Sequence, residues 1–228
     1  MPTTYANTDF QKPEDAVLAA GKLIREAENI VIFSGSGLSK ASGVPTYRDM
    51  DDPIWKTHDP KIYGSRHGLV NHTEEVLKQY ERWRADLSEL RPNSAHHAIA
   101  KCDKVTTHIT QNVDDLSERA GKPAIHLHGE IMKDRLDPEL GVMRPDVVLF
   151  GECLPLTEMA TAHDKMKEAD LLIAIGTSLE VQPAASLWTE NAGDNSIFIN
   201  TSQSCPVGVS INIPVEHILH QLLWSSVI

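Results

Sequence analysis

The sequence predicts an α/β fold: a Rossmann-like parallel sheet with helices on both faces, plus a small helical insertion module. Three observations predict it. Short apolar runs rich in β-branched residues recur along the chain, helical spacings separate several of them, and a Gly- and Ser-rich loop comes after the first run. Strands alternating with helices imply parallel pairing, because parallel strands need long crossovers that cover the sheet.

Along the chain, Glu14 to Glu28 carries Val17, Leu18, Leu23 and Ile24 at helical spacing. NIVIFSG, from Asn29 to Gly35, reads as a short buried strand through Ile30, Val31 and Ile32. From Val44 to Asn93 there is no strand pattern, only the turn signals DDP, HDP and YGSRHG and the helical stretch HTEEVLKQYERWRADLSEL. This region, 44–93, is the expected helical module, and the sheet domain takes 1–43 and 94–228. SAHHAIAKC is a helix before the strand KVTTHIT, and PAIHLHG and PDVVLFGE are further strands with 130–143 as a short linker between them. TEMATAHDKMKEA is a helix before the strand DLLIAIGTS, NSIFIN is another strand, and VEHILHQLLW is a closing amphipathic helix.

At 228 residues the chain suits one sizeable domain, or a large domain with a small insertion. No apolar run approaches the roughly 20 residues that span a bilayer, so no membrane partner is expected. The stretch MPTTYANTDFQKPEDAV lacks a basic region followed by an apolar core, which leaves the cytoplasm as the expected compartment. Cys102, Cys153 and Cys205 are far apart and form no C-x-x-C pair, against both a disulfide framework and a zinc knuckle. A formal charge of −11 disfavours a nucleic acid held by its phosphates and suits a cationic partner such as a lysine-rich protein tail.

The loop GSGLSKASG, from Gly35 to Gly43, sits where doubly wound folds hold phosphates. Glycines let the backbone approach closely, and its N–H groups can donate to phosphate oxygens. Lys40 stands where G-x-G-x-x-G has its third glycine, so an ordinary tight turn explains Gly35 and Gly37 as well. Polar residues gather at other strand ends. His128 comes after an apolar strand and can take a proton near neutral pH, and His126 shares its side of the strand. A metal pair there lacks a nearby carboxylate or thiolate. Gln111, Asn112 and Asp114 come after another strand, where a helix N-cap by Asn112 or Asp114 is the plain alternative. Gly176, Thr177, Ser178 and Asn200 close two more strands and, one by one, could be turn chemistry.

Together these motifs resemble those of the sirtuins, the NAD-dependent protein deacylases. GSGLSKASGVPTYRD is similar to G-A-G-I-S-x-x-S-G-I-P-D-F-R, and TQNVDDLSERAG to T-Q-N-I-D-x-L-H-x-x-A-G. HLHGE holds the family's H-G at His128 and Gly129, RPDVVLFGE matches R-P-x-V-V-x-F-G-E, and IGTSLEVQPAASL matches G-T-S-x-x-V-x-P-A. FIN ends at Asn200.

The resemblance implies a protein lysine deacylase that consumes NAD, moves the acyl group from lysine to ADP-ribose and releases nicotinamide. It makes His128, Asn112 and Asp114 the catalytic group, with His128 as general base on the ribose hydroxyls and the other two gripping the nicotinamide carboxamide. Gln111 is then a ribose contact. Gly35, Ser36, Gly37, Ser39, Thr46, Tyr47 and Arg48 belong to the loop over the cofactor. Gly176, Thr177 and Ser178 are expected at the phosphates and adenosine ribose, Asn200 also at that ribose, and Ile213 in a loosely matching adenine segment. Val148, Leu149, Phe150, Gly151 and Glu152 are expected to pair with the substrate peptide as an added strand, a buried core strand being the competing reading. Class III sirtuins, which prefer acidic acyl groups, carry Tyr-x-x-Arg in the helical module. Tyr80 takes the tyrosine's place, but Trp83 stands at the arginine, between Arg82 and Arg84.

Two departures stand out. Sirtuins usually insert a zinc ribbon between the equivalents of Gly129 and Arg144; here EIMKDRLDPELGVM has no cysteine, so no metal is expected. Ser117 replaces the signature's histidine. The expected partners are NAD and an acyl-lysine protein or peptide, with a monomer as the expected state. Alternatives on the same site are an NAD hydrolase, an ADP-ribosyltransferase, or a non-catalytic NAD- or ADP-ribose-binding module. The missing third glycine and the Q-N-x-D cluster disfavour a nicotinamide dehydrogenase.

Overall fold

The structure, a computed structural model, describes residues 13–45, 59–201, 205 and 207–224. Helix α1 (Pro13–Glu26) leads into β1 (Ile30–Ser34), followed by two short 3-10 turns, Ser36–Leu38 and Lys40–Ser42. Among the described residues, the next helices are α2 (Pro60–Tyr63), α3 (Arg66–Asn71) and α4 (Thr73–Glu89). The chain continues through α5 (Ser94–Lys101), β2 (Val105–Thr110), α6 (Leu116–Arg119), β3 (Ala124–His126), β4 (Gly129–Asp137) and β5 (Val142–Val147). It ends with α7 (Leu156–Glu168), β6 (Leu171–Ile175), α8 (Ala184–Asn191), β7 (Ser196–Ile199), β8 (Val209–Ile211) and α9 (Val215–Trp224).

Six strands form one sheet in the order β3-β2-β1-β6-β7-β8, and every pairing is parallel. Side chains alternate between faces along a strand, so each central strand serves two cores. Ile30, Ile32, Ile173 and Ile175 pack with α1, α5 and α9, whereas Val31, Phe33, Leu172 and Ala174 pack with α7 and α8. Phe33 and Trp188 are fully buried, with ring centroids 6.4 Å apart. Burying a side chain of this size contributes about 1.5–3 kcal/mol. The parallel sheet with helices on both faces is the architecture the alternation predicts. Strand β8 was not anticipated; it is three residues long and carries no alternation that could signal it.

Two expectations are corrected by the segment after β3. Residues 130–143 do not form a short linker: β4 and β5 pair as an antiparallel hairpin. Its sequence is too charged to look like a strand, and a side chain supplies the turn instead. Asp137 Oδ1 accepts from the Glu139 and Leu140 amides (3.2 and 3.0 Å), and Gly141 comes next at φ 68°. The run PDVVLFGE does not join the parallel sheet either. Only its first residues lie in β5, and the Val148 amide then bonds His128 O (2.9 Å), which ties Val148 to the chain just after β3.

The hairpin shares a third core with the helical module, built from Leu69, Val76, Tyr80, Ile131, Val147 and Leu149. Charged groups lock it further. Asp137 is buried between Arg66 and Arg144, and its carboxyl is held well below the usual carboxylate range, first of all by the Arg66 guanidinium. Arg144 and Arg135 both reach Glu152, the latter at 2.7 Å.

Candidate active site

In an open parallel sheet, ligands bind beyond the carboxyl ends of the strands where the strand order reverses, here between β1 and β6. The loops leaving these two strands grip each other. The Gly35 amide donates to Ile175 O (3.0 Å) and the Gly37 amide to Gly176 O (2.8 Å). A Cβ on Gly37 would stand 2.6 Å from the Gly176 Cα, and Gly176 itself has φ 56°. The glycines are thus needed for the approach of two backbones, which leaves Ser36 and Gly37 half-buried at the crevice.

Asn93 fixes this loop to α5. Its Oδ1 caps the helix at the Ala95 amide (2.9 Å), while its Nδ2 donates to Leu38 O (2.8 Å) and Ser42 Oγ (3.0 Å). Ser39 is fully buried; its hydroxyl accepts from Asn112 Nδ2 (3.1 Å) and also bonds Asp114. The first loop and the Q-N-V-D segment therefore meet through one serine.

Beneath that segment lies a buried polar chain. Ser34 Oγ bonds His108 Nε2 (2.8 Å) and donates to Thr110 Oγ1 (2.9 Å), which accepts from the Asn112 amide (3.1 Å). Burial pushes His108 down to about 3, so its ring is neutral. Gln111 donates from its amide to Ser34 O (2.9 Å) and from Nε2 to Thr177 Oγ1 (2.8 Å). Asp114 is buried, its Oδ1 accepts from the Leu116 amide (3.2 Å), and burial raises its pKa.

Two histidines close the arrangement. His128 Nδ1 lies 2.8 Å from Gln111 O, and among the described residues its Nε2 has no hydrogen-bond partner. Burial lowers its pKa, with the Gln111 bond acting the other way. His126, two residues earlier, is buried with Nδ1 2.9 Å from Asn112 O and Nε2 3.2 Å from Glu118 Oε1. The consecutive main-chain carbonyls of Gln111 and Asn112 are thus held by His128 and His126, the latter the last residue of β3.

On the other side, Thr177 O accepts from Asn200 Nδ2 (2.8 Å), and the Asn200 amide bonds Ile211 O (3.1 Å). Ser178 is half-buried, and Ile213 is half-buried against the α1 side of the core. Thr177, Ser178 and Asn200 follow β6 and β7 at their carboxyl ends, with hydroxyls and amides suited to phosphates and sugar hydroxyls. Thr46, Tyr47 and Arg48 lie outside the described residues.

The residues expected at a peptide diverge. Phe150 is exposed, yet its main chain is bonded to Gly64 O and the Arg66 amide, both at 2.9 Å. Val148 is half-buried and Gly151 exposed. Leu149 and Tyr80 are buried in the module's core, where the Tyr80 hydroxyl donates to Tyr63 O (3.2 Å). Glu152 accepts from Arg135, Arg144 and the Leu149 amide. A cleft of about 340 Å³ beside β3, lined by His126, Gly129, Val148, Cys153 and Glu158 among others, takes in none of Gln111, Asn112, Asp114 and His128.

The bonds that Asn93, Glu118, His108 and Thr110 make to these segments are ones that the sequence reading missed. The N-S pair before SAHHAIAKC was a signal for a cap, but nothing local signals the reach of Asn93 to Leu38. Among the described residues no group of three or more His, Cys, Asp and Glu is placed to hold a metal ion, and no helix is long and apolar enough to cross a membrane.

The model of the Sir2 family matches residues 35–137 and 134–183. An NAD-dependent protein deacylase of Helicobacter pylori is 42% identical over 193 residues, 75% of this chain and 83% of that protein. NAD-dependent protein deacylase 1 of Pseudomonas aeruginosa is 35% identical, over 88% of this chain and 92% of its own. A crystal structure of a Sir2 homologue in complex with NAD matches with a TM-score of 0.79 at 29% identity, over 98% of this chain and 96% of that one. A Sir2 homologue variant in complex with ADP-ribose matches with a TM-score of 0.79 at 30% identity, over 90% and 94%.

Proposed function

This chain belongs to the Sir2 family, and from that premise we propose that it is an NAD-dependent protein deacylase acting on acyl-lysine. NAD supplies the carbon that receives the acyl oxygen, and nicotinamide is the leaving group. The chain's own residues then have distinct tasks. His128 accepts a proton at Nε2, because its Nδ1–H is committed to Gln111 O. Asn112 and Asp114, joined through Ser39, hold the carboxamide end, and the Gly176–Ser178 turn with Asn200 holds the phosphate and ribose end. The acyl-lysine peptide runs along Val148–Glu152, where the exposed Phe150 ring and Gly151 meet it.

The observation that carries this reading is the Nε2 of His128, without a partner among the described residues, beside the Ser39–Asn112–Asp114 cluster. The reading also includes a zinc-free small module, since its buried acid, Asp137, is already taken up by Arg66 and Arg144. A cytoplasmic, monomeric enzyme completes it. The test is mass spectrometry of the products from the purified chain with NAD and acetyl-, succinyl- and longer-acyl-lysine peptides. Nicotinamide with acyl-ADP-ribose is expected, nicotinamide without peptide would point to NAD hydrolysis, and no nicotinamide at all would overturn the reading.

A further inference from the structure

His126 presents a valence problem whose solution bears on the site. Its Nδ1 faces Asn112 O at 2.9 Å, and a carbonyl oxygen only accepts. Its Nε2 faces Glu118 Oε1 at 3.2 Å. That oxygen already accepts the Ala124 amide at 2.8 Å, so it presents a lone pair to the ring as well. Both ring nitrogens must therefore donate, and a neutral imidazole has only one N–H.

We propose that His126 is a positioning residue for the deacylation site: Glu118 holds it as a buried imidazolium that fixes the Asn112 main chain and sets a positive charge beside Asp114. This rests on the Sir2 reading of the crevice. The groups facing His126 agree with it. Burial opposes its charge, but the Glu118 carboxylate and the Asn112 carbonyl outweigh burial and raise its pKa, with a further contribution from Glu130. Glu118 is lowered despite its own burial, chiefly by the bond to His126. His108, on the neighbouring strand, is neutral and adds no competing charge. Asp114, raised by burial, is drawn back towards its ionised form by Ser39, the Leu116 amide and His126.

The two histidines are thus set in opposite directions. His128 stays neutral and can act as a base, and His126 stays charged and can only hold. A raised pKa means that the holding charge is complete below the ordinary histidine value and is lost as pH rises through the folded value. Binding of NAD should then weaken on the alkaline side.

The test has two arms on the full chain. Long-range ¹H–¹⁵N spectra of the wild-type ring at neutral pH should report two protonated nitrogens for His126; a neutral ring overturns the proposal even if no variant folds. Steady-state kinetics of Glu118→Gln with NAD and an acyl-lysine peptide should show the KM for NAD raised about tenfold, kcat changed less, and the alkaline rise in KM moved to lower pH. An unchanged alkaline limb, or a loss confined to kcat, overturns it. Wild-type protein that releases no nicotinamide would instead sink the deacylase reading, and the spectra would still decide the state of the ring.

Discussion

The Nδ1 of His128 lies 2.8 Å from the main-chain carbonyl of Gln111. This contact fixes the tautomer, because the carbonyl cannot donate. The lone pair is left on Nε2, the nitrogen away from the protein backbone.

With His128 as the proposed base, that lone pair should set the acid side of the rate profile. Burial lowers the His128 pKa, so the neutral ring persists below the ordinary histidine value of about 6.5. The acid limb of kcat/KM for deacylation is expected below that pH, and His128→Ala should cost about 10²–10⁴-fold with the fold intact. Nicotinamide release measured across pH checks both; an acid limb above 6.5 would contradict the assignment.

Asp114→Asn keeps an oxygen for the Leu116 amide but removes the charge. Losing a charge-assisted bond of about 1.5–3 kcal/mol lowers kcat/KM for NAD by about 10–100-fold. Circular dichroism should be unchanged.

Gly37→Ala would place a Cβ 2.6 Å from the Gly176 Cα, a backbone atom that cannot swing aside. Overpacking of this kind costs about 1–3 kcal/mol and displaces the loop, so urea midpoint and NAD affinity should fall together. Gly193→Ala is the control, because a Cβ there meets nothing within 4 Å, and its stability should stay within about 0.5 kcal/mol.

The sheet strands were legible because Ile30, Val31 and Ile32, and likewise Leu171 to Ile175, are buried on both faces and so are apolar without a break. The hairpin was not, since β4 is charged and exposed at Lys133 and Asp134, is irregular in register between Glu130 and Asp134, and takes its turn from Asp137, a contact no periodicity reports. At the crevice, the residue types at strand ends could be read, but the partners could not. Glu118 meets His126, and Asn93 meets Leu38, across distances that only the tertiary fold closes. Tyr80 shows the reverse limit: it matched a motif position, yet the local packing buries it.

Asp137→Asn tests the ion cluster. Without the acid, Arg66 keeps Glu139 and Arg144 keeps Glu152, so the loss should be that of a charge-assisted bond, about 1.5–3 kcal/mol in urea unfolding. The Asp137 pKa is depressed, so its stabilisation is present above the unfolded carboxylate value and lost as pH falls through the folded one. The wild type should therefore weaken below about pH 4, and the variant should show less of that acid dependence.

Phe150→Ala should raise the KM for an acyl-lysine peptide several-fold, within the about 1–3 kcal/mol of a lost apolar contact, and leave the KM for NAD unchanged. The main-chain bonds to Gly64 and Arg66 survive the substitution, so stability should hold. A change confined to NAD would remove Phe150 from the peptide side.

The amide of Val148 hangs on the carbonyl of His128 itself. On the proposed reading, the segment that would meet the peptide and the ring that would take the proton are therefore pinned at a single point. In the proposed enzyme, a variant that displaces Val148 is expected to detune proton transfer at His128 as well. One that works from Phe150 outward can alter selectivity while the chemistry keeps its pace.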